Sequence, residues 1–131
     1  MAKKVLIVDD ELHMRVFMTT LLEVNGFKPL AAGDGNEGLK LAREKKPVLI
    51  IMDMMMPKES GIEMYRQVKT DAELKDIPVI VVSGLSKKTF LHSQKMLDQH
   101  YGVRLPDPAA YIEKPPEADE LLAAIHAALK S

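Results

Sequence analysis

The chain has 131 residues, a formal net charge of −1 and no cysteine. That length suits one domain with a core large enough to fold without cross-links, and the missing thiols exclude a disulfide scaffold, cysteine-ligated zinc and thiol catalysis. Charges of both signs are spread along the chain, with no basic tract for nucleic acid or an anionic membrane. The start, "MAKKVLIVDD", is too short in apolar residues for a signal peptide and no run has transmembrane length, so a cytoplasmic protein is expected.

Taken in chain order, apolar runs alternate with helical patterns. "VLIVD" from Val5 predicts a first strand, and Met14, Phe17, Met18, Leu21 and Leu22 then fall on one helical face that Gly26 stops. "FKPLAA" from Phe27 predicts a second strand. "DGNEGLKLAREKK" opens as a helix with Asp34 and Glu37 in capping-box spacing and ends at Pro47. "VLIIMD" from Val48 is the third strand, and "SGIEMYRQVKT" the third helix, through Ile62, Tyr65 and Val68. "IPVIVVS" from Ile77 is followed by a helix capped at Ser86. "AAYIEK" from Ala109 is followed by "PEADELLAAIHAALK", with Leu121, Leu122, Ile125 and Leu129 inward. The stretch "YGVRLPDPAA", from Tyr101 to Ala110, holds two close prolines and is predicted as a long loop.

The order is therefore β-α repeated five times in one domain over residues 1–131, without a second domain. Three nearly continuous apolar strands read as buried on both faces, which predicts an α/β fold with a five-stranded parallel sheet and helices on both sides. In such a sheet a ligand sits at the carboxyl ends of the strands. Those ends carry Asp9 and Asp10, Asp53, Ser83 and Lys114. Three carboxylates brought together are costly unless a divalent cation neutralises them, and an all-oxygen set suits Mg²⁺. A bound cation attracts a phosphoryl group, to which Lys114 and Ser83 offer further contacts, and a carboxylate can attack phosphorus to form an acyl phosphate.

"VLIVDDE", "VLIIMDMMMPKESGIEM", "IPVIVVSG" and "AAYIEKPPE" together resemble, in order and over essentially the whole chain, the receiver domain of bacterial two-component response regulators. The resemblance implies a doubly wound, flavodoxin-like sheet in the order 2-1-3-4-5. It implies that Asp53 accepts a phosphoryl group from a histidine kinase or phosphotransfer protein. Asp9 and Asp10 would hold Mg²⁺ together with Asp53 and the Met55 backbone carbonyl. Ser83 would be the switch hydroxyl, Lys114 the phosphate contact before a cis Pro115, and Tyr111 the switch aromatic that signals to an unnamed downstream protein. A phosphorylation-dependent homodimer is left open.

Departures from the family pattern carry expectations too. The interval from Ser83 to Lys114 is longer than usual, with the excess around residues 97–110. Met55 and Leu85 are apolar where the family often has polar side chains, which predicts slow self-dephosphorylation. "KPPE" replaces the commoner Lys-Pro-Phe and removes an aromatic anchor. Plainer readings stand beside these. Asp9 and Asp10 could cap a helix, Ser83 could cap a turn, Tyr111 could be core, and Met54, Met55 and Met56 read as adaptable packing rather than a metal site. Two rival functions are a metal-dependent phosphohydrolase with an aspartyl nucleophile, whose motif spacing fails here, and an inert receiver-like module, which would lack the acceptor or the lysine.

Overall fold

A computed structural model describes residues 2–57 and 60–130. Its elements are β1 (Lys4–Val8), α1 (Leu12–Val24), β2 (Lys28–Ala32), α2 (Gly35–Lys45), β3 (Leu49–Met52), α3 (Ser60–Thr70), β4 (Val79–Ser83), α4 (Lys87–Tyr101), β5 (Ala110–Glu113) and α5 (Ala118–Leu129). The strands are all parallel and lie in the order β2-β1-β3-β4-β5, as expected. Lys58 and Glu59 of the loop after Asp53 lie outside the described residues.

The alternation of side chains along each strand divides the core in two. Leu6, Val8, Ile50, Met52, Val79 and Val81 face the side covered by α2, α3 and α4. Val5, Ile7, Leu49, Ile51, Ile80 and Val82 face the side where Met18, Leu22, Leu121 and Ile125 pack from α1 and α5. Burial on both faces is why β1, β3 and β4 show no polar alternation in the sequence. Met54 and Met56 are core residues of the first half, while Met55 between them is exposed. Leu122 and Leu129, predicted inward, are half-buried at the margin, because only Leu121 and Ile125 point squarely at the sheet.

Several helix ends follow their sequence signals. Asp34 Oδ1 accepts from the Glu37 N–H at 2.8 Å, and Ser86 Oγ accepts from the Thr89 N–H at 3.2 Å. Gly26 takes φ 85° just past α1, the left-handed geometry that favours glycine at a helix stop. The loop predicted from Tyr101 begins one residue later, since α4 runs to Tyr101 and turns at Gly102, φ 69°. Lys114–Pro115 is cis, and Pro116 is buried where an aromatic was missed from the sequence.

β2 and β5 are the edges of the sheet. The Lys28 N–H donates to the Lys3 carbonyl at 2.8 Å, so the next residue, Pro29, turns its nitrogen away from β1 toward the open side.

Candidate functional site

The parallel register brings the strand ends level. Val8 pairs with Met52, and one step later the Asp53 N–H donates to the Val8 carbonyl at 3.0 Å. The Asp9 N–H donates to the Ala32 carbonyl at 3.1 Å, and the Lys114 N–H to the Ser83 carbonyl at 2.8 Å. Asp9, Asp53, Ser83 and Lys114 thus stand along one edge. The acids lie where the strand order reverses between β1 and β3, the crevice in which open α/β sheets hold ligands.

Carboxylate oxygens of Asp9, Asp10 and Asp53 lie within 4.8 Å of one another. Asp9 is 0% exposed and Asp53 is buried, whereas Asp10 is open to solvent. The helix-cap reading of the two aspartates does not hold. The residue at the N-cap of α1 is Glu11, which makes no side-chain cap bond. Asp9 Oδ1 instead accepts the Glu11 N–H at 2.9 Å, outside the helix.

Lys114 is drawn into this cluster. Its Nζ lies 2.9 Å from Asp53 Oδ2, 3.0 Å from Asp9 Oδ2 and 3.1 Å from Glu11 Oε1. Partial burial pushes the Lys114 pKa down, but the carboxylates of Asp53, Asp9 and Glu11 around it outweigh burial and leave it raised. Burial raises the Asp9 pKa, and the Glu11 N–H and Lys114 only partly offset this; the Asp53 carboxylate adds to the rise. The Asp9 Oδ2 contact with Lys114 is an ion pair without hydrogen-bond geometry, so this buried oxygen accepts no hydrogen bond. A buried carboxylate oxygen that is short of donors, beside two more carboxylates, is suited to a hard cation.

Asp53 is held at both oxygens. Oδ1 accepts the Met55 N–H at 2.9 Å and Oδ2 takes Lys114. Gly61, at the start of α3, sits against the Asp53 carbonyl and the Met54 backbone, so closely that a Cβ there would collide with both. This contact is the physical reason for glycine after the Asp-x-x-x-Pro segment.

Ser83 is fully buried and its Oγ accepts the Leu85 N–H at 3.2 Å. Tyr111 is half-buried; its hydroxyl donates to the Leu85 carbonyl at 2.6 Å, and its ring lies 4.9 Å from that of Phe90. Burial raises the Tyr111 pKa, and the neighbouring Ser83 hydroxyl opposes the rise. Ser83 and Tyr111 therefore share one polar junction at Leu85, which links the end of β4 to β5 and α4.

Two participants escaped the sequence reading. Glu11 forms the outer side of the Lys114 cage, and Arg15 Nη1 donates to the Asp9 carbonyl at 2.6 Å, bracing the β1–α1 turn. Glu11 stood in "VLIVDDE" as the third consecutive acid; Arg15, one helical turn further, left no signal distinguishable from a surface cation.

A family model described as the response regulator receiver domain matches residues 5–126. The chain belongs to this family. As a receiver it is a phosphorelay signalling switch. It is 36% identical over 126 residues to the protein PilH of Pseudomonas aeruginosa, covering 96% of this chain and 97% of the relative. It is 44% identical over 89 residues to the polar-differentiation response regulator DivK of Brucella anthropi, covering 67% of this chain and 72% of the relative. The fold matches the chemotaxis response regulator CheY4 of Vibrio cholerae with a TM-score of 0.82 at 24% identity, over 98% of this receiver and 100% of that one. No helix among the described residues is long and apolar enough to cross a membrane.

Proposed function

We propose that Asp53 is the phosphoacceptor of this receiver and that Asp9, Asp10, Asp53 and the Met55 carbonyl hold Mg²⁺. The observation that carries this reading is the clustering of three carboxylates from two neighbouring strand ends, two of them, Asp9 and Asp53, paired with one lysine, and Asp53 fixed at both oxygens.

A carboxylate oxygen of Asp53 attacks phosphorus as the P–N bond to the donor imidazole breaks, and the leaving nitrogen takes a proton from solvent. The cation, when bound, neutralises charge on the transferring oxygens. Met55 N–H and Lys114 hold the attacking carboxylate in one orientation before the donor arrives, so little of the barrier is spent on positioning. After transfer Lys114 Nζ has the reach to contact a phosphoryl oxygen in place of Asp53 Oδ2, a charge-assisted bond. The Ser83 hydroxyl gains a new acceptor on the same side. Movement of Ser83 alters the junction it shares with Tyr111, and Tyr111 passes this to the surface of α4, β5 and α5.

The donor is a histidine kinase or phosphotransfer protein, and the receiver hands its state to a downstream protein. Leu12 and Val16 are exposed on α1 immediately after Glu11, and Met55 is exposed beside Asp53; these apolar side chains suit the docking of a donor over the acids. A cytoplasmic location goes with a donor charged from ATP. The chain assists its own phosphorylation and dephosphorylation rather than turning over a separate substrate.

Incubation with Mg²⁺ and a small-molecule phosphodonor, followed by intact-mass measurement, tests the assignment. One stable phosphoryl adduct is expected on the native chain and none on Asp53→Asn, with the variant still folded by circular dichroism. An adduct of equal yield on Asp53→Asn overturns it, and steady release of phosphate without an adduct favours a hydrolase.

A further inference from the structure

The phosphoryl chemistry makes no use of the extended region between α4 and β5, yet this region is firmly built. Tyr65 Oη, on α3, donates to the Pro106 carbonyl at 2.6 Å, and Leu105 is buried in the core. Arg66 bonds Asp98 at 3.0 Å and stacks over the Tyr101 ring at 4.5 Å. Between α4 and the 102–107 strap lies a cavity of about 680 Å³, within the range of small-ligand sites. Its strap wall leads into the amino end of β5, the opposite end of that strand from Lys114.

Three observations define what it would take. Leu91, Val103 and Leu105 give it apolar walls. Gln94 also lines it, is only 8% exposed, and its Nε2 has no hydrogen-bond partner. A buried amide nitrogen needs an acceptor, and rotation about the soft terminal torsion of glutamine can turn it toward the cavity. Lys95 and Arg104 also line it and form no ion pair among the described residues, whereas Asp98 is taken by Arg66. Asp107 is the remaining acid of the lining, and the two cations outnumber it.

We propose that this cleft binds a small amphipathic carboxylate. The carboxylate oxygens accept from Gln94 and pair with Arg104 and Lys95, and the hydrocarbon lies against Leu91, Val103 and Leu105. A carboxylate satisfies the orphaned amide and the unpaired cations together; a neutral amide meets only the first need, and an ammonium meets neither.

The test is a titration of the ¹⁵N-labelled full chain with octanoate, octanamide and octylammonium, reading the Gln94 side-chain NH₂ resonances and the apparent Kd. Octanoate is expected to shift those resonances saturably and to bind about tenfold more tightly than octanamide, a single ion pair's worth of discrimination. Arg104→Gln, at an exposed position, is expected to lose most of that preference without lowering the melting temperature, and Gln94→Leu to weaken binding several-fold. Asp53→Asn is expected to bind octanoate as the native chain does, so failure of the phosphoacceptor assignment leaves this result untouched. Equal binding of octanoate and octanamide, octanoate affinity unchanged in Arg104→Gln, or Gln94 resonances that do not move would each overturn the proposal.

Discussion

Asp9 illustrates how a site side chain is kept at the expense of stability. Its carboxyl is buried, and burial raises its pKa above the unfolded value, so the folded state prefers it protonated. The sign follows from linkage: between the unfolded pKa and the raised folded one, the native state binds more protons, and stability falls as pH rises through that window. At neutral pH the ionised form is a net cost in the metal-free protein. Asp9→Asn keeps the acceptor for the Glu11 N–H while removing the charge. It is expected to raise the melting temperature at pH 7 without Mg²⁺, with the gain shrinking as pH falls toward the ordinary aspartate range. Added Mg²⁺ should stabilise the native chain and do little for the variant. A melting temperature that Asp9→Asn lowers at pH 7 in metal-free buffer would contradict this account. Asp10 is exposed and carries no such burial cost, so Asp10→Asn should leave metal-free stability nearly unchanged while weakening Mg²⁺ binding in the same titration.

At the scale of elements, the site depends on how closely α3 approaches the end of β3. Gly61 leaves no space for a Cβ between α3 and the Asp53–Met54 backbone. Gly61→Ala is expected to destabilise the fold by about 2 kcal/mol, typical of overpacking against backbone that cannot yield. Because the atoms displaced belong to Asp53 and Met54, phosphorylation should slow by more than the loss of folded protein explains. Chemical denaturation and phosphorylation rates measured on the same samples separate the two effects. The fastening of the long strap gives a second expectation. Tyr65→Phe removes the donor to the Pro106 carbonyl and is expected to cost about 1 kcal/mol, with amide exchange rising at residues 103–107 rather than in the sheet.

For the whole molecule, the order of elements, the parallel sheet and the convergence of Asp9, Asp53, Ser83 and Lys114 were legible in the sequence. Each rests on a signal confined to a few adjacent residues: an unbroken apolar strand that stops at a polar side chain. Interactions that join distant segments left no such trace. Nothing near Lys114 announces Glu11 as its partner, and Tyr65 reads as an ordinary inward residue of α3 until its hydroxyl is seen on Pro106. Pro116 is buried although the motif suggested a lost anchor. The two apolar residues flanking the acceptor region, Met55 at 57% exposure and the half-buried Leu85, bear on the lifetime of the signal. Neither can orient an attacking water by a hydrogen bond, so the phosphorylated receiver is expected to persist well beyond seconds in isolation. Met55→Asn should shorten that lifetime, as followed by loss of the adduct mass with time. A native adduct gone within seconds would show that water reaches phosphorus without their help.

Pro29 sets a limit on how copies of this receiver can join. Endless strand-by-strand polymerisation needs a sheet with two open borders, so that each newcomer presents a fresh template. On the β2 side the outward backbone nitrogen at Pro29 has no hydrogen to donate, leaving a gap in any ladder begun there. The four-residue β5 border carries no proline. Two copies joined through it would turn their proline-interrupted borders outward, and growth would end at the pair.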